Sequence, residues 1–363
     1  MTACARCLKR AHLLGMLGPR FARARRRRDR KQLLLALPNR QLIRALAAEY
    51  AERLTEELAA FDADEMRATL VARGLSAICV HDRGYPAALT QLPDVPQALF
   101  SRGDPARLAE LAATPAVAIV GGRRASTYAL EVAHELGRNL ARAEVPVVSG
   151  LARGVDGAAH RGALAGSGLT VGVLASGADV PYPARHRELY RRVARAGVVL
   201  SEMPPGTEPR RWAFPARNRI MAGLAAMTVV VEAAEASGSL ITATFAGDLG
   251  REIGAVPGRV NALNAAGSNR LLADGAVTVR HAEDVLDCIF GAGMRSVPPP
   301  SPIELDSRSR DVLSAIEAGE SPASIEGDIR GVRAALGRLE ALGLVRRDGL
   351  GGYERTGLQC EPA

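Results

Sequence analysis

Lysine is all but missing from this chain: of 47 basic side chains only Lys9 and Lys31 are lysines, so beyond residue 31 every such charge sits on arginine. That absence excludes several chemistries. There is no G-x-x-x-x-G-K-[ST] loop, no kinase-type strand lysine, and no core lysine able to form a Schiff base, so ATP hydrolysis at a Walker site is not expected. Aromatic residues make up only 4% of the chain, with a single tryptophan, which leaves aliphatic side chains and alanine to build the core of a sequence that is 47% hydrophobic. Long apolar runs are missing too. None reaches the roughly 18 residues that a membrane span needs, and the short run Leu13 to Leu17 precedes its arginines, the reverse of a secretory signal. The five cysteines are scattered, and Cys4-Ala-Arg-Cys7 has no second pair to complete a zinc site, His12 being the one candidate third ligand. The expectation is a cytoplasmic protein with reduced thiols, no metal and no cofactor.

What is present is basic and modular. A net charge of +8 suggests a polyanionic partner. Arginine suits bidentate phosphate contacts, although a GC-rich coding sequence gives the same bias. Length predicts two or three domains. Residues 1–31, ending in Ala24-Arg25-Arg26-Arg27-Arg28, read as a disordered basic tail or as a start codon assigned too early. Residues 32–100 read as a helical (SAM-like) domain and connector, with Leu42, Leu46 and Tyr50, then Leu54, Leu58 and Phe61, at helical spacing. Residues 101–290 alternate short apolar runs with helical segments, which predicts an α/β fold: a Rossmann-like, doubly wound, mostly parallel sheet. Its strands are expected at Val117 to Val120, Val145 to Ser149, Thr170 to Leu174, Val198 to Ser201, Thr228 to Val231 and Glu252 to Val256. Residues 291–304 form a stiff Pro-rich linker. Residues 305–357, two helices and a β-hairpin, have the pattern of a winged helix. Its Arg330, Arg333 and Arg338 would either face DNA or form the solvated side of a protein-contact module.

Ligands of doubly wound sheets bind beyond the carboxyl ends of the strands, so the residues just after each strand carry the functional signal. After the first predicted strand comes Gly121-Gly122-Arg123-Arg124-Ala125-Ser126, which is not a G-x-G-x-x-G. After the second comes Ser149-Gly150-Leu151-Ala152-Arg153-Gly154-Val155-Asp156, where Asp156 is expected to cap a helix and His160 to make a structural hydrogen bond. Phe214 to Thr242 joins Arg217-Asn218-Arg219 on a helix, a buried strand, and Ser237-Gly238-Ser239 opening the next helix. A helix start of that kind favours an anion. An ordinary strand-to-helix connection would use the same residues.

These blocks together resemble the DprA/Smf family of DNA-processing proteins. The matching residues are Gly121, Arg123 and Ser126, the Ser149 to Asp156 block with His160, Gly177-x-Asp179-x-x-Tyr182-Pro183, Ser201-Glu202-x-Pro204, Phe214-Pro215-x-Arg217-Asn218-Arg219-Ile220, Glu232, Ser237-Gly238-Ser239 and Thr242. Gly250-Arg251, Val256-Pro257-Gly258 and Gly267-x-Asn269 complete the set. The resemblance implies an extended Rossmann core that binds single-stranded DNA, forms a homodimer and hands the strand to the RecA recombinase in natural transformation, with no catalytic step. Carried over by position, Arg123, Arg153, Arg217 and Arg219 would contact phosphates. Gly121, Ser149, Gly150, Ser237, Gly238 and Ser239 would supply backbone or hydroxyl donors, with Ser126, Gly154, Asn218 and Thr242 completing the site. Gly122 and His186 depart from the family's usual serine and asparagine. The rival expectation is a nucleotide phosphoribohydrolase-type enzyme in which Glu202 or Glu232 activates water, but it lacks that class's P-G-G-x-G-T-x-x-E. A third is a duplex-binding regulator dominated by its winged helix.

Overall fold

In a computed structural model, residues 3–23, 34–104, 106–298, 305–320, 329–347 and 352–356 are described, and they fall into two compact units, Met1–Val297 and Pro298–Ala363. The first unit is built on one nine-stranded sheet of order β1-β2-β6-β5-β4-β3-β7-β8-β9. Its strands are β1 (Ser76–Cys79), β2 (Ala98–Gly103), β3 (Ala116–Val120), β4 (Val147–Ser149), β5 (Thr170–Val173), β6 (Val198–Ser201), β7 (Ala225–Val230), β8 (Glu252–Ala255) and β9 (Val277–Thr278). All seven strands from β3 to β9 run parallel to their neighbours, while β1 and β2 extend the β6 edge antiparallel. All six expected strands are there: Val198 to Ser201 has the bounds expected, and the other five differ by one to three residues at one or both ends.

The continuous apolar runs follow from burial on both faces. In β3, Ala116, Ala118 and Val120 enter the core on one side of the sheet, and Val117 and Ile119 enter the core on the other. The second side is covered by α6 (Thr127–Arg142), whose Ala129, Ala133, Leu136 and Leu140 form the expected stripe, and by α7 (Val155–Ala165). The first side carries α9 (Ala213–Leu224) and α10 (Ser239–Asp248), which contribute Ile220, Met221, Leu224 and Ala243. Because β3 connects onward to β4 on one flank and pairs with β7 on the other, the topological switch point lies at its carboxyl end.

Two domain boundaries need correction. The N-terminal stretch is no disordered tail over residues 5–23: α1 (Ala5–Arg23) buries Leu8, Leu13, Leu17 and Phe21 completely. Its apolar face packs with Leu42 and Ile43 of α2 (Asn39–Ala47) and with Leu54 and Leu58 of α3 (Ala51–Ala59). Phe21 stacks on Trp212 at 4.4 Å between ring centroids. The arginine run to Arg28 lies outside the described residues. The second correction concerns residue 100, where no boundary exists: β2 crosses it, and β1 and β2 belong to the sheet, because Ile78 and Leu99 join its core.

The second unit places α13 (Ser307–Glu317), α14 (Ile329–Ala341) and an antiparallel hairpin of β10 (Val345–Arg347) and β11 (Tyr353–Arg355) around Val312, Leu313, Ile316, Val332, Leu339 and Leu344. Arg338 is engaged by Asp306, the N-cap of α13, which leaves Arg333 as an exposed basic side chain on α14. The expected hairpin tip and residues 299–304 of the proline linker lie outside the described residues. Among the described residues, no helix is long and apolar enough to cross a membrane.

Candidate nucleic-acid interface

At the switch point the loops after β3, β4 and β7 surround a cleft of about 310 Å³, lined by Gly121, Arg123, Asp156, Phe214, Arg217, Asn218, Ser237, Gly238, Ser239 and Thr242 among others. Arg217 dominates its floor. The side chain is only 7% exposed; it donates from Nη1 to the Val173 carbonyl at 2.6 Å and from Nε to Asn218 Oδ1 at 3.0 Å. Its nearest carboxylate, Asp156, is 3.9 Å from Nη2. Burial pulls the Arg217 pKa down to about 10, Asp156 opposes that fall and Arg123 adds to it, so the group stays charged at neutral pH with only a long ion pair to compensate it. Burial likewise raises the Asp156 pKa, against the pull of Arg217. Asp156 does not cap α7, since the N-cap is Gly154; its carboxylate accepts from the Ala152 amide at 3.3 Å.

The opposite wall is the start of α10. Its N-cap, Gly238, has no side chain to cap it, and no acidic residue stands in its first turn. Ser237 and Ser239 share a hydroxyl hydrogen bond of 2.7 Å, and Asn218 ties the turn to Arg217 by donating from Nδ2 to the Gly238 carbonyl at 3.1 Å. Thr242 is fully buried, and its hydroxyl has no hydrogen-bond partner. The Ser239 amide donates to Ser237 Oγ at 3.4 Å and the Leu240 amide to the Ser237 carbonyl at 3.2 Å, so what this wall offers an anion is the helix dipole and the spare Thr242 hydroxyl, opposite an under-compensated arginine. At the mouth, Arg123 lies over the Phe214 ring at 4.8 Å, and Tyr182, 41% exposed, leans on the same ring at 5.6 Å.

Five of the residues expected here do other work, and a sixth lies outside the cleft lining. Arg219 is 1% exposed; Nη2 donates to both Glu202 oxygens at 2.9 Å, and Nε sits 2.8 Å from Asp94 Oδ2, off-axis for a hydrogen bond. Its charge is consumed in the core, so its assignment as a phosphate contact is corrected. Ser149 donates its hydroxyl to the Ile119 carbonyl at 2.6 Å and ties β4 to β3. Ser126 caps α6 by accepting from the Ala129 amide, and donates its hydroxyl to Glu232 at 2.7 Å. Gly150 makes room rather than contact: a Cβ there would lie 1.7 Å from Arg217 Nη1. Gly154, at φ +77°, would meet the Gly122 carbonyl at 2.1 Å if it carried one. Arg153 is exposed and outside the cleft lining. His160 is structural, its Nε2 accepting from the Leu151 amide and its Nδ1 paired with Thr170 Oγ1. His186, one of the two departures, holds the Leu151 carbonyl at 2.9 Å.

A family model for DNA recombination-mediator protein A matches residues 76–290, which begins at β1 and ends with α12 (Ala282–Phe290). The chain belongs to this DprA family. A Mycobacterium tuberculosis DprA is 46% identical over 222 residues, covering 61% of this chain and 56% of that protein, so the match spans little more than half of that relative. The Streptococcus pneumoniae DNA processing protein DprA is 34% identical over 269 residues, 69% of this chain and 93% of its own length. The X-ray structure of the pneumococcal DprA superposes with a TM-score of 0.62 at 31% identity, over 79% of this chain and 98% of that one. A Helicobacter pylori DprA structure, described as giving insight into its single-stranded DNA binding mode, has a TM-score of 0.53 at 30% identity over 59% and 94%. The sheet of this chain is thus the Rossmann-like sheet of DprA.

Proposed function

We propose that this DprA-family chain binds the backbone of single-stranded DNA in the cleft and passes the strand to a RecA-type recombinase, acting as a cytoplasmic homodimer without a catalytic step. The observation that carries the DNA reading is the buried, under-compensated Arg217 facing the start of α10, which holds no acidic residue in its first turn, and the orphan Thr242 hydroxyl. Phosphate would complete both. The Arg123, Phe214 and Tyr182 ledge offers a stacking surface that tolerates any base, as sequence-independent strand binding requires. The H. pylori relative's single-stranded DNA mode supports the same assignment, and family membership supports the recombinase hand-over. The hydrolase alternative gains nothing from the geometry: Glu202 is held by Arg219, and Glu232 is held by the amide and hydroxyl of Ser126. In the second unit, the order of helices and hairpin supports a winged-helix reading.

Arg123 is exposed and can be removed without disturbing the core. Arg123→Ala is expected to weaken oligonucleotide binding in anisotropy titrations and to flatten the salt dependence by about 0.7 in log–log slope, one single-strand phosphate contact. Unchanged affinity and slope would remove Arg123 from the site. Stimulation of RecA loading onto protein-coated strands, scored by strand exchange, checks the hand-over, and failure to stimulate sinks it.

A further inference from the structure

At the β1 edge of the sheet, five strands from β3, the fold gathers four soft donors that the sequence keeps 72 positions apart: Cys4 and Cys7 from the start of α1, and Cys79 and His81 from the end of β1. Their ligand atoms all lie within 4.8 Å of one another. His81 Nδ1 is 3.4 Å from Cys4 Sγ, 3.5 Å from Cys7 Sγ and 3.8 Å from Cys79 Sγ. A tetrahedral zinc ion with Zn–S near 2.3 Å and Zn–N near 2.05 Å sets the S···N edge at about 3.6 Å, which those three separations bracket. From this geometry we propose a structural zinc site, Cys4-Cys7-Cys79-His81, that staples α1 to the sheet. It overturns the expectation that Cys4 and Cys7 lack completing partners.

Local structure is arranged for this. The Cys4 amide lies 3.5 Å from Cys79 Sγ, a contact suited to a thiolate. Cys7 and Leu8 donate to the Cys4 carbonyl and so begin the helix, whose first turn holds no acidic residue and whose dipole favours thiolate charge. Ala3 donates to the Ala77 carbonyl at 3.2 Å, and Asp82 accepts from the Cys79 amide at 2.7 Å, fixing the turn that presents His81. Three sulfurs and one imidazole in a closed set suit Zn²⁺ in a structural role, with no vertex left for substrate. Binding replaces thiol protons, which leave to solvent, and needs no oxidant. The consequence runs along α1: Phe21 at its far end stacks on Trp212, the residue before α9, which carries Arg217.

The test is made on the full chain purified in reductant without added metal. Elemental analysis is expected to give about one zinc per chain; stripping it with chelator should lower the thermal midpoint, and added Zn²⁺ should restore it. Co²⁺ added to the stripped protein should give the intense visible absorption of a tetrahedral thiolate site. His81→Ala changes an exposed residue, and it should cost about tenfold or more in Zn²⁺ affinity, whereas Cys288→Ser should leave zinc content unchanged. A metal-free protein whose midpoint ignores added Zn²⁺, a Cys4–Cys7 disulfide in its mass spectrum, or bound iron with acid-labile sulfide would each overturn the assignment.

Discussion

Arg217 and Arg219 stand two positions apart on α9, yet one borders the cleft with its nearest carboxylate 3.9 Å away while the other is spent on Asp94 and Glu202. The difference follows from the helix: two positions turn a side chain by about 200°, from the cleft to the core below Asp94. Arg219→Met therefore leaves two carboxylates buried with no cation, and we expect a loss of about 3–5 kcal/mol in denaturant unfolding. The Asp94 carboxyl, already raised to about 6 by burial against the pull of Arg219, would then take up a proton more readily. A change below about 1 kcal/mol would show that the pair contributes little. Thr242→Val tests the other kind of residue. It removes a buried hydroxyl that makes no hydrogen bond within the protein, so stability should hold or rise by up to about 1 kcal/mol. Oligonucleotide affinity should fall several-fold; equal affinity in titration would mean the hydroxyl does not face the strand.

At the scale of elements, α1 and the β4–α7 loop show where sequence reasoning succeeded and failed. The strands of the parallel sheet were legible because burial on both faces writes itself as a continuous apolar run, and α6 because Ala129 to Leu140 keeps one stripe. α1 was hidden. Its Leu8, Leu13, Leu17 and Phe21 are spaced as a buried face, but the flanking arginines outweighed them, and nothing local announced Trp212 or Cys79 as partners. In the site, the glycine and serine turns marked the right loops, yet spacing alone did not separate Ser237 and Ser239, which face the cleft, from Ser126 and Ser149, whose hydroxyls serve Glu232 and the Ile119 carbonyl. If α1 belongs to the core, Phe21→Ala should cost about 3–5 kcal/mol; a change near zero in urea unfolding would restore the tail reading. His160 gives the loop after β4 a pH dependence. Burial first, and Arg217 second, lower its pKa from 6.5 to about 3. The unfolded chain therefore binds a proton that the fold refuses, stability is full above about pH 6.5 and falls as pH is lowered, by about 2 kcal/mol near pH 5. Half-buried His12, lowered in the same direction, adds to the wild-type slope, so the comparison is with His160→Gln, whose stability should fall less over that range. Identical slopes by chemical denaturation would remove His160 as the cause.

For the whole molecule, the two compact units divide at Val297 and Pro298, and every residue lining the cleft lies in the first. The net charge of +8 is a property of the entire chain, and it strengthens encounter with any polyanion without choosing one. In the function proposed above, what chooses is the cleft. A chain ending at Val297 should therefore fold with an unchanged urea midpoint and keep its single-strand affinity within about twofold at fixed salt, since no phosphate contact is lost. Arg333, exposed on α14, supplies the opposing case: were the second unit the main DNA reader, the truncated chain would lose binding and Arg333→Ala would weaken the full chain as much as Arg123→Ala does. Titrating both proteins with single-stranded and duplex oligonucleotides of equal length separates the two outcomes, because a reader of duplex grooves prefers the second substrate and a backbone cleft at a strand switch point prefers the first.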